Sequence, residues 1–360
     1  MTAERRRVLL TVSGTIPADL NDQIARGDRP RPDYLVMAEA LGAELVDHVR
    51  ARETTGRLGR LVERIAGPNV LLAWSCFRQR RHFEVVFTDG EQVGIPYAAM
   101  TRFAGRRGAR HIMIVHILTV RKKMALMRAL RLASRIDRMV VYSSRQRDLI
   151  ATALSYPPDH IVLSPFMVDT TFFAPDAVDT PARRMICSAG LEFRDYPTMV
   201  EAVRGLDVEV VLAAASPWSK RRDVSGDVEV PANVTVDRFG FADLRALYAS
   251  AEFVVVPLVD TDFQAGITTI LEAMAMGKAV ICSRTRGQVD VIVDGSTGIY
   301  VRPGDAAALH TAIANLLDDH DLAARLGRAA REWAVAEADI QTYADEMAGV
   351  VDAVARMIRS

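Results

Sequence analysis

The chain has 360 residues, half of them hydrophobic and a quarter charged, and its 45 basic residues balance 45 acidic ones. Such a composition is that of an ordinary globular protein rather than a disordered or fibrous one, and the length suits two domains of roughly 100–200 residues. No apolar run approaches the ~20 residues of a membrane-spanning helix, and the run at 8–12 behind a basic start is too short for a signal peptide, so a cytoplasmic protein is expected.

Taken in chain order, short β-branched runs alternate with longer helical patterns, the signature of parallel sheets built from βαβ units. Strands are predicted at 8–12, 70–73, 85–88, 112–115, 139–142 and 161–163, with helical stretches including 33–50 and 122–135. Residues 169–181, rich in Asp, Thr and Pro and without periodicity, read as a linker. Beyond it strands are predicted at 185–189, 208–214, 234–239, 253–257, 279–282 and 298–301, with helices at 197–204, 242–250 and 267–276. The last segment, 318–360, reads as two helices anchored by Leu326, Trp333, Tyr343 and Met347. The expectation is an α/β fold with domains at 1–172 and 180–340, residues 341–360 packing back onto the first. Open parallel sheets bind ligands outside the carboxyl ends of their strands, so an inter-domain cleft is expected to hold the site.

The zero net charge hides a split: residues 1–175 carry +10 and residues 176–360 carry −10. Arg102, Arg106, Arg107 and Arg110 precede the strand at 112–115; Arg121, Lys122 and Lys123 follow it. Arg128, Arg131 and Arg135 come next, beside Met124, Leu126 and Met127. A basic face edged with apolar side chains can lie on an anionic bilayer, at about 1 kcal/mol per cation. A solvated arginine-rich face accounts for the same pattern, and the 41 arginines against 4 lysines read as genomic base composition. Cys76, Cys187 and Cys282 are widely spaced and fit no metal pattern, which points to buried reduced thiols; the seven histidines show no metal spacing either.

The densest chemical signal is the run 263–282, FQAGITTILEAMAMGKAVIC. It reads as a glycine-containing loop, a short helix, a glycine stop and a buried strand. The helix N-terminus offers free backbone N–H groups and a positive dipole end to a phosphate, and Gly266 lets a ligand come close to the backbone. Glu272 can accept two hydrogen bonds from a ribose diol. A plain βαβ crossover would explain Ala273, Met276 and Gly277, but not a glutamate among small apolar residues.

This segment resembles the donor motif of the family 4 (group 1) retaining glycosyltransferases: a Glu, seven residues, then a second Glu opening Glu-Ala-Met-Ala-x-Gly-x-x-Val. Residues 89–96 (DGEQVGIP), His116 after its strand, 164–170 (SPFMVDT) and 294–305 (DGSTGIYVRPGD) are similar to further blocks of that family, in the right order. The resemblance covers about residues 85–335. It implies a GT-B architecture of two Rossmann-like domains and transfer of a sugar from a nucleotide-diphosphate donor to an acceptor, with retention of configuration. Glu272 would then hold the ribose, and Arg194 with the backbone of Ala265, Gly266, Ile267 and Thr268 the diphosphate. His116 and Gln264 would orient the sugar, and Gly14 and Gly190 would let the donor approach. No cofactor or metal is implied; the acceptor is a small molecule, glycan or lipid, with peripheral contact to an anionic membrane and none to nucleic acid.

Two departures stand out. Gln264 replaces the motif's first glutamate, and an amide can still serve sugar hydroxyls with one donor and one acceptor face. In 187–197 (CSAGLEFRDYP) Leu191 stands where the family places an arginine, which leaves Arg194 as the loop's cation and Lys220 as a candidate for the missing one. Asp260-Thr261-Asp262 matches the metal-binding Asp-x-Asp of the other main glycosyltransferase fold, but lies in the wrong half of the chain for it. A nucleotide-sugar epimerase and a non-catalytic nucleotide-sugar-binding subunit remain as alternatives.

Overall fold

The computed structural model describes residues 7–105, 108–118, 120–214 and 231–359. They form two compact units. Unit 1 comprises the chain up to Leu20, Pro32–Ser164 and Tyr343 onward; unit 2 comprises Asn21–Arg31 and Pro165–Thr342.

Unit 1 is built on six parallel strands: β1 Val8–Thr11, β2 Glu44–Val46, β3 Val85–Thr88, β4 Arg110–Val115, β5 Arg138–Val141 and β6 Ile161–Leu163, in the spatial order β2-β1-β3-β4-β5-β6. The central strands are buried along nearly their whole length, as expected of a parallel sheet covered on both faces. In chain order the helices are α1 Leu20–Ala25, which belongs to unit 2 from Asn21 on, then α2 Asp33–Leu41, α3 His48–Ala66, α4 Pro68–Gln79, α5 Glu91–Ala104, α6 Arg121–Ala129 and α7 Ser144–Leu154 in unit 1.

Three sequence expectations fail in this unit, one being the helix at 122–135: α6 ends at Ala129, Arg131 turns left-handed (φ 48°) and a separate 3-10 turn covers Leu132–Arg135. Residues 70–73 are not a strand but the middle of α4, which starts with Pro68, whose fixed φ suits a first helical turn. Leu71, Leu72, Ala73 and Cys76 are all fully buried there, and a helix buried on most sides shows the same short apolar run as a buried strand. The stretch 33–50 is likewise not one helix. Gly42 ends α2 in the left-handed conformation (φ 58°), β2 follows, and Asp47 caps α3 by accepting from Arg50 N–H.

Unit 2 carries β7 Met185–Ala189, β8 Glu209–Ala213, β9 Val234–Asp237, β10 Phe253–Val256, β11 Ala279–Ser283 and β12 Ile299–Val301, all parallel, in the order β12-β11-β10-β7-β8-β9. Its helices are α8 Tyr196–Ala202, α9 Phe241–Ser250, α10 Ile267–Ala275, α11 Ala306–Asp318 and α12 His320–Glu337. Helix α13, Ile340–Arg359, closes the chain and belongs to unit 1 from Tyr343 on.

The period-2 alternation of strands divides the core of unit 2 into two layers. Met185, Cys187, Val254, Val256, Val280 and Cys282 pack on one face with α9, α10 and α12; Ile186, Val210, Leu212, Val255 and Ile281 pack on the other with α8 and α11. The three cysteines are free and buried, and burial pushes the Cys187 and Cys282 thiols up to about 12. Two cations close helix ends from below. Lys278 donates to Ala249 O and Ala251 O after α9, and Arg331 to Ala275 O, Phe173 O and Thr170 O after α10.

In both sheets the order reverses once, between β1 and β3 in unit 1 and between β7 and β10 in unit 2. The crevice outside the carboxyl ends at such a switch point is where open α/β sheets take ligands. No helix among the described residues is long and apolar enough to cross a membrane.

Candidate functional site

At the switch point of unit 2, the loop after β7 and the loop after β10 enclose a cavity of about 230 Å³. Its walls are residues 190–194 and 263–268, so Gly190, Arg194, Gln264, Ala265, Gly266, Ile267 and Thr268 lie together. Arg194 is the centre of this arrangement. Its Nε donates to Ala189 O (2.7 Å), Nη1 to Glu192 O (3.0 Å) and Nη2 to Thr269 Oγ1 (2.9 Å). Three of its five N–H groups are thereby engaged and two remain, on an arginine only 8% exposed.

Two glycines make room for that guanidinium. A Cβ on Gly190 (φ +93°) would stand 2.5 Å from Arg194 Nη2. One on Gly266 (φ +75°) would stand 2.9 Å from Val256 Cγ1 and 3.2 Å from Arg194 Nη1. Both φ values disfavour any other residue. Gly266 is also the N-cap of α10 and supplies no side-chain cap. The first intrahelical bond runs from Ile270 N–H to Gly266 O, which leaves the amides of Ile267, Thr268 and Thr269 for an external acceptor. A positive helix end beside an arginine is an anion site.

Gln264 meets the same cavity with an amide whose nitrogen and oxygen are both buried and have no partner among the described residues. A buried amide left open in this way is costly unless a ligand or water completes it. Gln288, fully buried in the loop after β11, also has an unpartnered amide; nothing in its sequence context marked it.

Glu272 does not line the cavity. It lies further along α10, where its Oε2 accepts from Tyr248 OH (2.9 Å). Burial pushes its carboxyl up to about 7, against the Tyr248 hydrogen bond and the Arg194 charge, which pull the other way. Tyr248 with Glu272 and Arg194 with Thr269 thus form two hydrogen-bonded pairs at α10, and the Arg194 charge acts on Glu272. Sequence reasoning missed Tyr248 and Thr269, because a tyrosine late in a helix and a threonine inside a motif look like packing residues.

Lys220 lies outside the described residues. Asp260 and Asp262 are held by Arg286, whose Nε donates to Asp260 Oδ2 (2.9 Å) and whose Nη1 lies 3.6 Å from Asp262 Oδ1. Among the described residues no group of three or more His, Cys, Asp or Glu is placed to hold a metal. The block 294–305 is structural: Asp294 accepts from Tyr300 N–H, a Cβ on Gly298 would stand 2.6 Å from Val280 O, and Asp305 caps α11.

Gly14 and His116 belong to unit 1, at the carboxyl ends of β1 and β4. A Cβ on Gly14 would meet nothing within 4 Å, so the chain's own packing does not require glycine there. His116 Nε2 is 2.8 Å from Asp89 O; a carbonyl only accepts, so Nε2 carries the proton and a neutral ring keeps Nδ1 as an acceptor. Asp89 is fixed by the Thr11 and Ser13 hydroxyls and by Ser13 N–H. Glu91 accepts from His116 N–H, Ile117 N–H and Lys123 Nζ; burial raises its carboxyl, and Lys123 with the His116 amide and its own more than offsets the rise. Asp33, not anticipated from the sequence, sits near these groups. Burial pushes its carboxyl up, the Asp89 charge adds to the rise and His116 opposes it.

Comparison with known proteins places the fold. Residues 193–319 match the family model "Glycosyl transferases group 1". A 28% identical relative, the MMP alpha-(1->4)-mannosyltransferase of Mycolicibacterium hassiacum, aligns over 63% of this chain and 57% of its own length. The GDP-mannose-dependent alpha-(1-6)-phosphatidylinositol monomannoside mannosyltransferase of Mycolicibacterium smegmatis is also 28% identical, over 47% of this chain and 50% of its own length. The chain thus spans little more than half of these curated relatives. Among solved structures, Anabaena HepE in complex with UDP-glucose superimposes with a TM-score of 0.69 at 14% identity, covering 96% of this chain and 99% of that one. The fold is GT-B, and residues 193–319 are similar to the group 1 glycosyltransferases.

Proposed function

We propose that this chain, a GT-B protein similar to the group 1 glycosyltransferases, moves a sugar from a nucleotide-diphosphate donor to a hydroxyl acceptor with retention of configuration. The observation that carries this reading is the cavity at the start of α10, where Arg194, the open amides of Ile267 and Thr268 and the unpartnered Gln264 amide converge. A diphosphate takes the amides and the two remaining guanidinium N–H groups. The sugar takes the Gln264 amide, and the ribose takes Glu272. In the reaction the bond from the anomeric carbon to the diphosphate breaks, the bond to the acceptor oxygen forms, and the acceptor proton leaves with the diphosphate. Fixed donors aimed at the departing charge are the largest catalytic contribution expected of such a site. His116, with Nδ1 open, is assigned to orienting the sugar, as the resemblance implies. The acceptor is a small molecule, glycan or lipid.

The reading is tested by donor stabilisation and turnover. Thermal-shift screening against GDP-mannose, UDP-glucose and the ADP- and dTDP-sugars is expected to single out one nucleotide. The purified protein is then expected to hydrolyse that donor slowly without acceptor. A protein that binds no donor, or binds one without ever cleaving it, defeats the proposal.

Transfer is further proposed to need no divalent metal, since Asp260 and Asp262 are both engaged by Arg286. Turnover is expected to persist in excess EDTA. Loss that Mg²⁺ or Mn²⁺ restores would return those two aspartates to the site.

Gln264→Glu is expected to retain activity and to change donor preference, because a carboxylate only accepts where the amide also donates. Ranking kcat/KM over a donor panel measures this. Equal effects on every donor, or none on any, would remove Gln264 from sugar recognition.

A further inference from the structure

A second cavity, of about 600 Å³, lies in unit 1 where α6 and α7 end and β5 and β6 begin. This is the amino end of the sheet, whereas Ser13, Asp89 and His116 stand at the carboxyl end, so the cavity is separate from the switch point. Its size falls within the roughly 300–1,000 Å³ of small-molecule sites. Met127, Ile136, Leu154 and Tyr156 give it an apolar floor, three of them buried.

Charge distinguishes this cavity from a plain apolar groove. The one acidic wall residue, Asp137, is already paired with Arg110 (3.1 Å) and accepts from His111 N–H (2.9 Å). Arg128 and Arg131 also line the cavity, and neither has an acidic partner among the described residues. Arg128 is held in place by its Nε bond to Ala153 O (2.6 Å), which leaves its other N–H groups open. Arg131 takes the left-handed conformation (φ 48°) after α6, a place where glycine is the usual residue. The carboxyl ends of α6 and α7 each contribute roughly half a negative charge nearby. Two full cationic charges exceed that.

We infer that this cavity is a binding site for an amphipathic anion, with an alkyl or ring body on the apolar floor and a phosphate or carboxylate on Arg128 and Arg131. The sequence showed these arginines beside Met127 and left a bilayer surface and a solvated face as equal accounts. The fold changes the question, because Arg110 and Lys123 of the same cluster are engaged in ion pairs with Asp137 and Glu91. Arg128 and Arg131 stand instead at a pocket with an apolar floor.

The probe is octyl phosphate, titrated calorimetrically below its micellar concentration into the full chain. One saturable site is expected, with inorganic phosphate and octanol each at least about tenfold weaker, because each supplies only half of the contact. Arg128→Gln with Arg131→Gln is expected to weaken binding about tenfold or more, the usual worth of a lost charge-assisted bond. Leu154→Trp, which fills the floor and keeps both charges, is expected to block it. Stabilisation by the donor nucleotide should be unchanged in both variants, which also reports that they are folded. Equal affinity in wild type and the double arginine variant would overturn the proposal, as would displacement of octyl phosphate by the donor nucleotide. Association with phosphatidate vesicles but not with monomeric octyl phosphate would assign the arginines to a bilayer surface and overturn it too.

Discussion

Replacing Glu272 with glutamine is expected to abolish most donor affinity while making the ligand-free protein more stable at pH 8. The carboxyl stands at about 7 in the folded chain against an ordinary value of 4.5, chiefly through burial. As pH rises from 4.5 to 7 the unfolded chain gives up this proton and the folded chain keeps it, so stability falls across that window; the full penalty is present above 7. The shift corresponds to about 3 kcal/mol at most. Glutamine carries no charge to desolvate and can still accept from Tyr248, so it escapes the penalty. It cannot offer a carboxylate to a ribose diol. Each charge-assisted bond is worth about 1.5–3 kcal/mol, so losing two weakens binding by a factor of a hundred or more. Melting curves and nucleotide titrations at pH 6 and pH 8 check both halves. Wild-type affinity should rise between those values as the carboxylate ionises, and the glutamine variant should show no such rise. Unchanged affinity, or an equal loss of stability at both pH values, would take Glu272 out of the site.

Arg194→Ala is expected to lower kcat/KM by about a hundredfold to a thousandfold, the range typical for removing a donor aimed at a departing anion. The loss has two parts. The diphosphate loses its cation, and the Ala189 and Glu192 carbonyls with the Thr269 hydroxyl lose the fork that ties the β7 loop to α10. Arg194→Lys is expected to recover little, since one ammonium cannot reproduce a planar fork reaching three acceptors. Affinity for the nucleoside diphosphate should fall far more than affinity for the bare nucleoside. Equal losses for both ligands would mean that the phosphate pocket lies elsewhere.

Much of this was legible in the sequence because local chemistry and fold agree there. The loop 263–268 and the helix after it carry their signals within a few residues: Gly266 before the helix, Gly277 after it, buried β-branched residues in the next strand. What escaped depends on partners distant in sequence. Tyr248 gains its role only because α9 brings it to Glu272, and Gln288 is notable only because burial leaves its amide open. The reading of Gly266 was incomplete for the same reason. Its glycine looked like an accommodation to a ligand, yet Val256 and Arg194 already exclude a side chain. The misread run 70–73 shows the other limit, since four buried apolar residues look alike in a strand and in an enclosed helix.

Unit 1 is also completed by residues from the far end of the chain. Tyr142 OH and Tyr343 OH are 3.0 Å apart, Ser164 donates to Glu346, and Met347 and Val351 are buried. A ribosome therefore makes every residue of unit 2 before it makes the helix that closes unit 1. Residues up to Ser164 emerge with the hydrophobic seat of that helix uncovered and stay so until the chain has been made past Thr342. A nick or stop codon just ahead of Tyr343 would leave the donor loops untouched in sequence and still damage the half of the protein that was made first.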